Sequence, residues 1–267
     1  MGKALDQQEI ADYWDTGFAF PVPVITAEEA AAHRARLEAA EAARGPMHYV
    51  VKPYLVFSSA WEIGRHPALL DAVEDVLGPD ILLWDSAYII KEAHDSRFVS
   101  WHQDLTYWGL DSDEMVTAWV ALTEARPENG GMRMLPGTHR GGKKAHRDTH
   151  DEQNILHRGQ EIDMVIDETQ VVDVVLAPGQ ASLHHGWVMH ASHPNPSGDR
   201  RIALSLQYLT PRVRQTKTDL ESATLVRGED RFGHFRQEPA FAGDFDPGAV
   251  TFQQEVERLK HQVYDTN

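Results

Sequence analysis

Apolar residues recur at helical spacing in three stretches near the start of the chain. Gln7 to Trp14 forms one, and Thr26 with Glu29 makes a capping-box pattern ahead of an Ala-rich stretch to Ala43. In the third, Pro67 to Leu77, Leu69, Leu70, Val73 and Val76 share a face and Gly78 is the stop. From Ile81 the pattern shortens to strand-length runs broken by turn residues. These are Ile81 to Ile90, Phe98 to Trp101, Val116 to Leu122, Val171 to Leu176, Ala181 to Trp187 and Arg201 to Leu209. With the helices preceding the strands rather than alternating with them, the order predicts a mainly β fold with N-terminal helices, a sandwich or barrel. Asn129-Gly130-Gly131 and Pro136-Gly137 mark tight turns. Gly141 to Asp163 is too charged for a core strand and reads as a lid-like excursion. The expected organisation is one domain over 1–267. It comprises a mostly helical layer 1–80, a β core 81–211 carrying the insertion 141–163, and a C-terminal extension 212–267.

Composition narrows the chemistry. An apolar content of 42% with 7 Trp, 9 Phe and 7 Tyr is ample for a core. No apolar run reaches membrane-spanning length and no basic-then-apolar leader opens the chain, so a cytoplasmic protein without membrane association is expected. The net charge of -16 argues against a nucleic-acid binder, which needs a basic stripe, and leaves a small molecule as the expected partner. With 0 Cys there are neither disulfides nor thiolate metal sites, and any metal takes nitrogen and oxygen ligands.

Trp101-His102-Gln103-Asp104 stands where a strand ends. Residues two apart on a strand share a face, so His102 and Asp104 can offer an imidazole nitrogen and a carboxylate oxygen to one ion. Two other triplets, His146-Arg147-Asp148 and His150-Asp151-Glu152, match equally well, but both lie in the polar excursion. A third ligand has candidates in His184, His185, His190 and His193, since strands distant in sequence can be neighbours in a jelly roll. Two histidines and one carboxylate leave coordination positions open on a ferrous ion for an α-keto acid and dioxygen. The keto acid's distal carboxylate calls for a planar, permanently charged fork. Arg201 opens a strand on which Arg201, Ala203, Ser205 and Gln207 share one face while Ile202, Leu204, Leu206 and Tyr208 share the packing face. Its neighbour Arg200 fits a surface position.

These residues resemble the phytanoyl-CoA dioxygenase family. The motif H-x-S-x-x-N-x-S-x-x-x-R is present as His190, Ser192, Asn195, Ser197 and Arg201, and His102-Gln103-Asp104-Leu105 with Tyr107 matches the metal-binding strand. Ala118-Trp119 and the run from Asn129 to His139 match the central turn and strand, so the likeness extends from about Tyr13 to Tyr208. The resemblance implies a double-stranded β-helix (jelly roll) with His102, Asp104 and His190 on Fe(II). It implies Arg201 as the anchor of 2-oxoglutarate, and Ser192, Trp119 and Lys52 as further co-substrate contacts. It implies O2 as oxidant, succinate and carbon dioxide as by-products, and hydroxylation rather than chlorination, because related halogenases replace the carboxylate that Asp104 supplies.

Tyr107, Trp108, Arg133, His185 and Trp187 flank the ligand motifs and are candidates for the substrate pocket, where Arg133 would select an anion. The segment from Phe98 to Leu110 is similar to bacterial family members that act on small polar molecules such as aminophosphonates. Two alternatives stay open: a zinc hydrolase on the same His/Asp/His site, and a non-catalytic jelly-roll binding protein.

Overall fold

The computed structural model describes residues 2–156 and 159–264. The N-terminal layer contains α1 (Gln7–Thr16), β1 (Phe18–Pro23), α2 (Ala27–Arg44), α3 (Ser58–Gly64) and α4 (Pro67–Leu77). The capping box at α2 forms as the sequence predicts: Thr26 Oγ1 accepts the Glu29 N–H at 3.1 Å, and Glu29 accepts the Thr26 N–H at 2.8 Å. α4 starts with Pro67 and stops at Gly78, whose φ of 89° suits only a residue without a side chain.

The core follows as β2 (Ile81–Lys91), β3 (Val99–His102), α5 (Leu105–Trp108), β4 (Met115–Ala121), β5 (Met132–Leu135), β6 (His146–Asp148), β7 (Gln160–Ile162), β8 (Val172–Asp173), β9 (Gln180–His185), β10 (Met189–Ser192) and β11 (Arg201–Leu209). The C-terminal part adds β12 (Ser222–Arg227), β13 (Arg236–Gln237) and α6 (Pro247–Tyr264). A seven-stranded sheet in the order β1-β9-β4-β11-β2-β12-β13 faces a four-stranded sheet in the order β3-β10-β5-β8, and β6 pairs with β7. All pairings are antiparallel except β12 with β13. This is the expected jelly roll.

The centre of the large sheet is β11, buried along its whole length between β2 and β4. Its two faces divide as the alternation predicts. Ile202, Leu204, Leu206 and Tyr208 join Leu37, Ile63, Leu69 and Val73 in the core under the helices, while Arg201, Ser205 and Gln207 line a cavity between the sheets. Among the described residues no helix is long and apolar enough to cross a membrane.

Several strands escape the sequence pattern. β1 carries Pro21 and Pro23, which a strand tolerates because β1 is a sheet edge. β10 has only 4 residues and β13 only 2, too few to set a period. The run expected from Val171 to Leu176 forms a strand only over Val172–Asp173, with Leu176 adding an isolated bridge to Ala125, and Val174 and Leu176 remain buried between the sheets.

Candidate active site

His102 and His190 are register partners on β3 and β10, which brings two imidazoles from distant parts of the chain to one point. Each ring is oriented by its own backbone: Nδ1 of His102 lies 2.9 Å from the Ser100 carbonyl and Nδ1 of His190 lies 3.1 Å from that of Val188. With Nδ1–H donated to those oxygens, both Nε2 lone pairs turn towards Asp104, at 3.5 and 3.6 Å from its Oδ1. Asp104 arrives differently from the expected strand alternation. β3 ends at His102, and Asp104 has helical φ and ψ of -58° and -51° at the start of α5, so a turn rather than a pleat carries its carboxylate inward. Thr117 Oγ1 donates to Asp104 Oδ2 at 3.3 Å, and His184 Nε2 is 3.7 Å from the same oxygen.

The electrostatics match a ligand set. Burial works to raise the Asp104 pKa, but His190, His102 and His184 outweigh it and hold the carboxyl well below its usual range. His190 is pushed down to about 3, first by burial and then by His102, so its imidazole is neutral. Ligand atoms of His102, Asp104 and His190 lie within 4.8 Å of one another, and this is the sole such cluster among the described residues. Two imidazoles and an ionised carboxylate fit a divalent ion that prefers nitrogen and oxygen, ferrous iron among them. The rival triplets do not assemble a site: both ring nitrogens of His146 are engaged, by the Lys144 carbonyl and the Gln103 N–H.

A cavity of about 480 Å³ opens beside these ligands. At one end Arg201, only 2% exposed, points inward with its guanidinium 5.1 Å above the Trp119 ring. Among the described residues its one side-chain hydrogen bond is a long one, 3.4 Å to the Ile89 carbonyl, and Nε has no partner. Burial lowers its pKa to about 10, so it stays charged at neutral pH. Among the described residues no carboxylate forms an ion pair with it. A buried, unpaired fork of this kind fits the distal carboxylate of 2-oxoglutarate. Arg200, as expected, lies at the surface, paired with Glu41 and Glu92.

Ser192 and Trp119 line the same cavity, as do Tyr107 and Trp108. Four other expectations require correction. Lys52 is fully buried, but its ammonium goes to Glu238 at 2.7 Å and Ser222 rather than to the cavity. Arg133 does not enter the barrel. Its strand β5 pairs with β8, and its guanidinium is drawn to Glu168 and to Asp173 at 3.3 Å. His185 Nδ1 accepts the Trp187 N–H at 3.1 Å and its Nε2 is 3.7 Å from Asp113, so the ring faces away from the cavity lining. Trp187 packs instead against the cluster around Leu105, Met115 and Leu209.

Sequence reasoning missed Lys91. Its Nζ donates to Ser192 Oγ at 2.8 Å and to the His193 carbonyl, at the same end as Arg201, its partner in strand register. The signal was available in the alternation of β2, whose inner face carries Asp85, Ala87, Ile89 and Lys91. Also unforeseen are Tyr49, Asp85 and Lys260 in the lining.

Fold and ligand geometry together define a non-haem metal protein of the two-histidine, one-carboxylate jelly-roll class. The profile described as phytanoyl-CoA dioxygenase (PhyH) matches residues 13–203, and the chain belongs to that family. Among solved structures, it resembles the apo form of the non-heme monooxygenase ThoJ, with 37% identity and a TM-score of 0.85 over 96% of this chain and 97% of that one. Among curated proteins, it is 30% identical over 161 residues to a probable alpha-ketoglutarate-dependent hypophosphite dioxygenase of Stutzerimonas stutzeri, covering 60% of this chain and 56% of that protein. It is 26% identical over 163 residues to the L-proline trans-4-hydroxylase of Streptomyces griseoviridis, covering 54% of this chain and 60% of that protein. These matches thus span little more than half the length of the curated relatives.

Proposed function

We propose that this protein is an Fe(II)- and 2-oxoglutarate-dependent dioxygenase that hydroxylates a C–H bond of a small polar metabolite and releases succinate and carbon dioxide. The observation that carries the reading is the buried, unpaired Arg201 guanidinium in the same cavity as His102, Asp104 and His190. A zinc hydrolase has no use for that cation, and a passive binding module has no use for the metal ligands.

Each residue has a defined task. His102, Asp104 and His190 would hold the iron, with the Ser100 and Val188 carbonyls fixing the ring orientations. Arg201 would hold the distal carboxylate of 2-oxoglutarate. Trp119 supports its guanidinium plane, and Ser192, itself fixed by Lys91, offers a hydroxyl nearby. Bound iron, with the keto acid and dioxygen, supplies the oxidising power, and the protein contributes position and exclusion of water. Ile155 and Leu156, from the excursion, close part of the cavity wall. The side chain of Gln103 fastens this segment by donating to the Gly142 carbonyl at 2.9 Å and accepting the Lys144 N–H at 2.8 Å. The names of the two curated relatives, one alpha-ketoglutarate-dependent and one a hydroxylase of a small amino acid, support the same reaction class.

A turnover screen tests the reading: 2-oxoglutarate, Fe(II) and oxygen against small amino, phosphonate and natural-product substrates, read by succinate and product mass. Substrate-stimulated succinate with a product heavier by one oxygen is expected. Stoichiometric zinc with hydrolysis, or no binding of 2-oxoglutarate to the metal-loaded protein, would contradict it.

A further inference from the structure

The inner face of the large sheet has two polar ends. Along β11, Arg201, Ala203, Ser205 and Gln207 face Lys91, Ile89, Ala87 and Asp85 of β2. Arg201 and Gln207 are thus separated by six residues, about 20 Å of strand. Gln207 is the partner of Thr117 on β4, and Thr117 is the partner of His184 on β9. A row from Asp85 through Gln207 and Thr117 to His184 therefore crosses the sheet at the level of Asp104, which Thr117 and His184 both approach. The Arg201 end is taken by the co-substrate in the reading above, which leaves the Asp85 end for the molecule to be oxidised.

That end is built by a β-bulge. The register moves from Gln207↔Asp85 to Tyr208↔Leu83, passing over Trp84, so Trp84 and Asp85 are consecutive yet both turn away from the helical core. Trp84 packs edge-on to Trp108 at 5.4 Å, and Asp85 lines the cavity. From α6, Lys260 reaches over the Trp84 ring, its Nζ 5.2 Å from the centroid, and pairs with Asp85 Oδ2. The Lys260 side chain is 4% exposed, and that of Asp85 19%. Among the described residues Asp85 Oδ1 accepts only the Ser86 N–H, at 2.8 Å, and the nearby Ser86 hydroxyl is buried without a partner. Lys260 lies beyond the span 13–203 that the family model matches.

We propose that Asp85 and Lys260, with Gln207 beside them, bind the amino-carboxylate headgroup of the substrate, which makes the substrate a small amino acid or a molecule ending in one. The inference rests on the dioxygenase reading and names its substrate class. A buried ion pair gives little net stability over an apolar pair of similar volume, which leaves its position in the wall of a reaction cavity to be explained. A zwitterion can exchange partners with it: its ammonium meets Asp85, its carboxylate meets Lys260, and no buried charge is left alone. A purely anionic or purely cationic ligand leaves one member of the pair unmatched, at the cost that accompanies any unpaired buried charge. Trp108 is placed to cover the apolar part of such a molecule.

Calorimetric titration of the full chain, loaded with Zn(II) as a redox-silent metal and 2-oxoglutarate, tests this. The probes are the common L-amino acids, each compared with its N-acetyl and methyl-ester forms. At least one free amino acid should bind, and blocking either end should weaken it by about tenfold or more. Asp85→Asn and Lys260→Met should each cause a loss of the same order. The paired exchange of Asp85→Lys with Lys260→Asp should restore melting temperature but not binding, separating recognition from a docking role for α6. The proposal is overturned if blocked and free forms bind alike, if no free amino acid binds although 2-oxoglutarate does, or if the exchanged protein binds as the parent does. Failure of 2-oxoglutarate itself to bind would contradict the dioxygenase reading instead.

Discussion

Arg201 shows how far a single residue can carry a functional argument. A guanidinium that is 2% exposed and lacks a carboxylate partner is costly unless an anion completes it. Arg201→Met should therefore weaken 2-oxoglutarate by roughly 2–5 kcal/mol, a factor of about 30 or more. Arg201→Lys should recover only part of that, because a point charge cannot reproduce a fork. Titration of 2-oxoglutarate into the metal-loaded variants checks both, and an unchanged affinity in Arg201→Met would remove the anchor. Lys91 makes a second prediction at this scale. Its pKa is pushed down to about 6 by burial first and by Arg201 next; Arg97 adds to this and Asp95 opposes it. The unfolded chain, with an ordinary lysine near 10.4, binds more protons between pH 6 and that value. Stability therefore rises with pH across the window, and the burden is fully present below pH 6. An anion bound at Arg201 favours the charged ammonium. Binding of 2-oxoglutarate at pH 8 should accordingly take up a proton, seen as buffer-dependent calorimetric heats and lost in Lys91→Met. Heats independent of buffer in the parent protein would contradict it.

Among the elements, what was legible in the sequence depended on length and period. α2, α4 and β11 each extend through several periods with caps or clean alternation, and their faces are readable from the sequence. β10 is as important to the site as β11, because it supplies His190, yet its 4 residues carry no period; only the spacing to Arg201 marked it. Geometry at Asp104 was misread for a related reason. The chain leaves the strand at His102, and alternation says nothing about a turn. Lys52, Arg133, His185 and Trp187 are near the ligands in sequence or motif but are turned elsewhere by partners far along the chain: Glu238, Glu168, Asp113 and the Leu209 cluster. Such long-range partners leave no local signature. Glu238 is the clearest case, accepting from Lys52, from Tyr54 at 2.8 Å and from Thr224 at 2.6 Å, with both members of the Lys52 pair fully buried. Lys52→Met should thus cost roughly 3–5 kcal/mol of stability in denaturant unfolding, while leaving 2-oxoglutarate affinity as it was. A selective loss of that affinity would restore Lys52 to the site.

On the scale of the whole molecule, the jelly roll explains why one metal centre needs residues from such distant positions. The small sheet brings His102 and His190 together, the turn after β3 swings Asp104 between them, and the large sheet sets Arg201 at one end of the shared cavity and Asp85 at the other. The C-terminal part, which looked like an extension, is joined to this frame: β12 pairs with β2, and α6 sends Lys260 into the cavity. The central claim is that iron and 2-oxoglutarate share this cavity. Its most direct test is anaerobic titration of the apo protein with Fe(II) and then 2-oxoglutarate, followed by visible absorption. A weak charge-transfer band saturating at one equivalent of each is predicted, absent in His190→Ala. Stoichiometric Fe(II) binding with no band on addition of 2-oxoglutarate would contradict the account.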